Sequence, residues 1–196
     1  MELILIRHGL PKRIVNEDGT AADPPLSAEG KRQAAKMAAW MKSEAFDHIY
    51  ASPMKRAYQT AEPLAAAAGL EIQIRPGIAE YDRDSSYYIP VEQLKEEDYE
   101  SWRALMQGNY NDEAGFEEFH TAVVDTVEEI ISHNKGGKVA VVCHGGVINV
   151  WTAHVIGFEP RLFFNPDYTS INRYMAASSG ERTVITLNQA VHLDNR

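Results

Sequence analysis

Arginine, histidine and glycine stand in a row at Arg7-His8-Gly9, directly after the apolar run Leu3 to Ile6. A neutral imidazole is a nitrogen nucleophile near pH 7, because its unperturbed pKa is about 6.5. A guanidinium beside it offers a planar fork to phosphate oxygens and never loses its charge. His8 and Arg7 therefore carry two parts that phosphoryl transfer needs, an in-line nucleophile and a cation at the equatorial oxygens. Gly9 lets backbone N–H groups approach an oxyanion closely. A second apolar run, Val139 to Cys143, ends in His144-Gly145-Gly146, and Arg56 falls in the first turns of a helix expected after Ser52. A protonated His144 and the positive end of that helix would add to the same cage.

These groups meet only if the elements beneath them are neighbours. Open α/β sheets bind ligands outside the carboxyl ends of their strands, which is where both histidines stand. After the first strand, Pro11 to Pro25 reads as a loop, with Asn16, Asp18-Gly19 and Asp23-Pro24-Pro25 as turn signals. Ser27 is an N-cap candidate for a helix to about Ala45, with Ala34, Ala38 and Met41 on one face. Asp47 to Ala51 reads as a strand, and Ser52-Pro53 as an N-cap followed by proline at the first helical position. That helix runs towards Ala68, is expected to kink at Pro63 and ends at Gly69, before a strand over Glu71 to Ile74.

Tyr81 to Gly115 breaks the alternation, being acidic and rich in aromatics such as Tyr87, Tyr88, Tyr99, Trp102 and Tyr110. It reads as an inserted, partly helical cap over about 81–115. Phe116 to His133 then has a strong helical period, and Gly136-Gly137 turns the chain into the Val139 strand. Beyond a loop with Pro160 and Pro166, Ile171 to Ala176 and Thr183 to Leu187 read as a closing antiparallel pair around Ser179-Gly180. The expected fold is a three-layer α/β/α sandwich with a mostly parallel central sheet, in one domain over 1–196.

Composition narrows the function classes. A formal charge of −9, from 28 acidic and 19 basic residues, opposes binding to nucleic acid or anionic lipid. A few converging arginines still bind a small anion, because a local cluster prevails within about 8–10 Å. No apolar stretch approaches the roughly 20 residues of a membrane span. The single cysteine, Cys143, rules out an internal disulfide and a multi-thiolate zinc site. A cytoplasmic protein with no cofactor is expected.

In its motifs the chain resembles the histidine phosphatase superfamily, also called the phosphoglycerate mutase-like family. LILIRHG is similar to that family's strand and RHG signature, and ASPMKRAYQTAEPLA to its S-x-x-R-A-x-Q-T-A segment. PLSAEGKRQA resembles its L-T-x-x-G-x-x-Q-A helix start, VAVVCHGGVI its second-histidine strand, and NPDYTSINRY to LNQAVHL its closing strands. The resemblance implies His8 as the nucleophile that becomes phosphohistidine, with Arg7, Arg56 and His144 as the phosphate pocket. Gly9, Gly145 and Asn16 join them as substrate-binding candidates. It also implies an acid for the leaving group, and IRPGIAEYD places Glu80 there, with Asp82 as the rival.

Mutase members usually carry an asparagine five residues after the RHG glycine, where this chain has Ile14; Asn16 follows two residues later. Hydrolysis of a small phosphoester, releasing inorganic phosphate, is therefore favoured over mutase-type transfer. A catalytically silent binding protein on the same fold is the reading from another class. Metal ligation by His8 and His144 is disfavoured by the adjacent arginines, which repel a cation. Tyr87, Tyr88 and Trp102 are candidates to stack on a leaving group, and Lys12, Arg13, Arg83 and Arg103 to meet further anionic groups.

Overall fold

The computed structural model describes residues 1–107, 115–159 and 161–194. The expectations for Tyr110 and Pro160 lie outside the described residues. Six strands form one sheet: β1 (Glu2–Arg7), β3 (His48–Ala51), β4 (Ile72–Ile74), β6 (Lys138–Cys143), β7 (Ile171–Ala176) and β8 (Arg182–Gln189). Their order is β4-β3-β6-β1-β7-β8, with β4, β3, β6 and β1 parallel and the last two antiparallel. β1 and β6 lie inside the sheet, with both faces covered, which is why they read as continuous apolar runs rather than alternating ones.

Successive side chains serve opposite layers. Leu3, Leu5, Val139 and Val141 pack with α5 (Phe116–His133) and α6 (Gly145–Ile156), through Val123, Val127, Ile130 and Trp151. Ile4, Ile6, Ala140 and Val142 pack with α1 (Ala28–Trp40) and α2 (Lys55–Ala68), through Met37, Ala38, Ala61 and Leu64. The fold is α/β, a mostly parallel central sheet flanked by helices on both sides.

Ser27 caps α1 as expected, its hydroxyl accepting from Gly30 N at 3.0 Å. The helix stops at Trp40, one turn short of Ala45. Beyond it the chain is recruited elsewhere, because Glu44 bonds Lys138 at 2.5 Å and Arg173 at 2.6 Å below the sheet. α2 starts at Lys55 with Met54 as N-cap, so Ser52 is not its cap and Pro53 is not its first residue. The helix runs on through Pro63 and ends at Gly69 in the left-handed region, φ 67°.

The two irregular segments of the sequence hold each other. Ile14–Val15 (β2), inside the expected loop, pairs antiparallel with Tyr87–Tyr88 (β5). Asn16 N also donates to Ser86 O at 2.8 Å, and Ala22 N to Ser85 O at 2.7 Å. After β5 come α3 (Val91–Glu97) and α4 (Tyr99–Gln107). The closing pair forms as expected, with β8 longer than its apolar core at both ends.

Candidate active site

Parallel register brings the histidines together. Arg7 pairs with Cys143 across β1 and β6, so His8 and His144 are each the next residue along adjacent strands. Their ring centroids are 5.1 Å apart, and both side chains are buried. Arg56 reaches the same end from the first turn of α2 and is 1% exposed.

The hydrogen on each imidazole follows from its neighbours. His8 Nδ1 lies 2.8 Å from the carbonyl oxygen of Gly9, which can only accept. Nδ1 therefore carries the hydrogen and Nε2 keeps the lone pair. His144 Nε2 lies 2.7 Å from Ser52 Oγ, and that oxygen also receives Met54 N at 3.3 Å. In the tautomer in which the serine hydroxyl donates to Nε2, the hydrogen of His144 stands on Nδ1. Burial, followed by the nearby guanidinium of Arg56, holds the pKa of both rings well below 6.5. The added charge that a protonated His144 would bring to the cage is disfavoured by these surroundings.

Four buried donors converge here without a hydrogen-bond partner among the described residues: Arg7 Nε, Arg56 Nε, Arg56 Nη1 and His144 Nδ1. Each unmade bond costs about 1–3 kcal/mol when buried, a cost that a bound anion would offset. The remainder of each arginine is fixed. Arg7 Nη1 donates to Pro166 O and, at 3.3 Å, to Asn165 Oδ1, with its guanidinium 4.1 Å above the Tyr168 ring. Arg56 Nη2 donates to Asp82 at 2.8 Å, and its guanidinium lies 4.7 Å above Tyr88.

The two candidate acids occupy different surroundings. Asp82 is paired with Arg56. Glu80 accepts from Gly146 N at 2.9 Å, at the start of α6, and from Tyr81 N at 3.0 Å. Burial, then the Asp82 charge, raises its pKa from the ordinary value, against those two N–H groups and Arg56. A Cβ on Gly146 would sit 2.3 Å from Glu80 Oε1, so only glycine admits the carboxyl there.

Arg7, His8, Arg56, Glu80, Asp82 and Gly145 all line one cavity of about 660 Å³. His144 is not among its lining residues; its ring centroid lies 5.1 Å from that of His8, which is. Gly9 does not take the oxyanion role expected of it: its N–H donates to Thr60 Oγ1 at 2.9 Å, and its tight packing on Gly30 explains the glycine. Asn16 also falls elsewhere, its amide bonding Thr20 O and Ala21 O within its own loop. Arg13, Arg83 and Arg103 pair with Glu97, Asp84 and Glu100, and neither they nor exposed Lys12 line the cavity. Tyr87 and Tyr88 line it, whereas Trp102 packs with Tyr99 and Lys95. Ser52, Thr60 and Asp82 are the positioning groups that sequence did not assign. Ser52 had the signal, standing in the motif with Arg56, but its position before proline suggested a helix cap.

The depressed histidines have a measurable consequence. In the unfolded chain their imidazoles take up protons from about pH 6.5 downward, while the folded rings resist. Stability is therefore full above about 6.5 and falls as the pH drops towards the lower folded values. The melting temperature should decline between pH 7 and pH 5, and decline less in a His8→Asn, His144→Asn double variant, as read by calorimetry at constant ionic strength.

The parallel sheet with two histidines at adjacent strand ends, two buried arginines and a nearby raised-pKa carboxyl defines a phosphoryl-binding α/β protein. Residues 3–189 match the Histidine phosphatase superfamily (branch 1), and the chain belongs to that family. It is 28% identical over 203 residues to phosphoserine phosphatase 1 of Hydrogenobacter thermophilus, covering 98% of this chain and 94% of that one. It is 29% identical over 172 residues to the adenosylcobalamin/alpha-ribazole phosphatase of Escherichia coli, covering 84% of each. A crystal structure of phosphoserine phosphatase from Entamoeba histolytica in complex with 3-phosphoglyceric acid superposes with a TM-score of 0.76 at 23% identity, covering 98% and 99%.

Proposed function

We propose that this protein is a metal-independent phosphomonoesterase that hydrolyses a small phosphorylated substrate through a phosphohistidine on His8. The observation that carries this is the group of unpartnered buried donors on Arg7, Arg56 and His144 around a histidine whose Nε2 is unprotonated. The donors bind the equatorial oxygens, and positive charge comes from the two guanidiniums. The Nε2 lone pair attacks phosphorus, the P–O bond to the leaving group breaks, and that oxygen takes the proton of Glu80. Water then attacks phosphorus, giving its proton to the Glu80 carboxylate. The N–P bond breaks, and inorganic phosphate leaves with His8 neutral again.

Glu80 rather than Asp82 is assigned as the acid because burial favours its protonated form, whereas the Asp82 carboxylate is ion-paired with Arg56 at 2.8 Å. Asp82 instead holds Arg56 in place. Hydrolysis rather than mutase-type transfer is supported by Ile14, which pairs with Tyr88 where mutase-like members carry asparagine. The buried single thiol of Cys143 is compatible with the cytoplasmic location that belongs to this proposal. No described helix is long and apolar enough to cross a membrane.

The test is the leaving-group dependence of Glu80→Gln. For an alkyl phosphate, kcat should fall about 10²–10⁴-fold, and for 4-nitrophenyl phosphate, whose leaving group needs no proton, by much less. Gly146→Ala should show the same selectivity more weakly, because it displaces the carboxyl without removing it. An equal loss on both substrates, or a larger loss in Asp82→Asn, would move the acid's role away from Glu80.

A further inference from the structure

Beyond its phosphate end, the described residues that line the cavity are mostly apolar. Its volume, about 660 Å³, is that of sites for drug-sized ligands. Tyr87, Ile89, Leu94, Phe119, Val150 and Leu162 are on its walls. Tyr81, also on the wall, makes edge-to-face contacts with Phe116 and Phe119 at 6.2 and 5.7 Å between centroids.

Several of the polar lining residues in this part are bonded to protein partners. Asn149 donates to Gly145 O and Phe164 O and accepts from Phe163 N and Phe164 N. Ser85 exchanges both of its bonds with Tyr87, and Ser101 donates to Asp98 at 2.6 Å. Asn165 gives its carbonyl oxygen to Arg7. Among the described lining residues, Arg161 is the one cation outside the phosphate end, and it stands exposed to water, where its charge is screened. A carboxylate on the leaving group would lose hydration here, and among the described lining residues its only cation beyond the phosphate end is exposed Arg161.

From this we infer that the substrate class is phosphomonoesters with a bulky apolar, aromatic or long alkyl leaving group, selected over compact charged esters such as phosphoserine and 3-phosphoglycerate. This rests on the phosphatase reading above and names the substrate for that same site. Binding energy for the leaving group comes from removing its apolar surface from water.

The experiment compares 3-phenylpropyl phosphate with O-phospho-L-serine and 3-phosphoglycerate. All three expel an alkoxide, and the serine ester has the more activated one, so intrinsic reactivity works against the expected result. kcat/KM should be at least about tenfold higher for the phenylpropyl ester, and Leu94→Asn should reduce that ratio. A ratio of one or less, or one that Leu94→Asn leaves unchanged, would overturn the assignment. In parallel, calorimetric titration compares 4-phenylbutylphosphonate with 2-amino-4-phosphonobutanoate, neither of which can be hydrolysed. The phenyl compound should bind at least about tenfold tighter, and equal or weaker binding would overturn the assignment. If no ester turned over at all, the phosphatase reading would fail, while the phosphonates would still report the preference of the cavity.

Discussion

His8→Asn is expected to lower kcat by about 10⁴–10⁶-fold, the range for losing a covalent nucleophile whose neighbours remain. Asparagine keeps a polar group of similar reach, but its amide nitrogen has no lone pair free to attack phosphorus. The open nitrogens of Arg7, Arg56 and His144 are untouched by this change, so titration with inorganic phosphate should still show binding within about tenfold of the parent. The intermediate supplies the second readout. Rapid denaturation of the parent enzyme at alkaline pH during turnover should trap a phosphoramidate, which ³¹P NMR assigns to Nε2, because Nδ1 is occupied by Gly9 O. Turnover by His8→Asn within tenfold of the parent would sink the nucleophile assignment.

Arg56→Ala is expected to lower kcat/KM by about 10³–10⁵-fold, the worth of an arginine that meets transition-state charge. The guanidinium touches three parts of the site. Two of its nitrogens are unpartnered donors, the third holds Asp82, and its charge lowers the proton affinity of His8, His144 and Glu80. Arg56→Lys should recover part of the loss but remain more than tenfold below the parent. An ammonium replaces the charge and cannot replace two parallel donors together with the Asp82 bond. Removing the guanidinium also leaves Asp82 and Glu80 as neighbouring acids without their cation, which raises the Glu80 pKa further. The basic limb of the pH–kcat profile should then shift upward in Arg56→Ala. A loss below tenfold, with an unmoved profile, would show that Arg56 is structural.

What could be read from the sequence was what has a local period or a local cap. Leu3 to Ile6 and Val139 to Cys143 are strands because buried parallel strands are apolar on both faces, and the histidines beyond them lie at the ligand-binding end by topology alone. Ser27 and Gly69 marked helix ends through hydrogen bonding and φ, both properties of single residues. The failures have a common physical cause. Ser52 bonds a ring 92 positions away, Asp82 crosses 26 positions to Arg56, and Ile14 finds its strand partner at Tyr88. None of these pairs leaves a periodic trace, because each is set by how two irregular segments fold over the strand ends. Gly9 shows the same limit: its missing side chain serves contact with Gly30, not the anion.

The place of β1 between β6 and β7 also governs how the chain comes into being. Its hydrogen-bonding neighbours are Lys138–Cys143 and Ile171–Ala176, so β1 leaves the ribosome well ahead of both. At about 5–20 residues per second, roughly 10–30 s separate its synthesis from that of its last neighbour. Through that interval Leu3 to Ile6 is an apolar strand with two unpaired edges, the kind of segment that nascent-chain chaperones hold. His8 meets His144 only when β6 arrives beside it. The pairing of the two histidines is thus among the last features the chain acquires, and a truncated or stalled product carries His8 without His144 beside it.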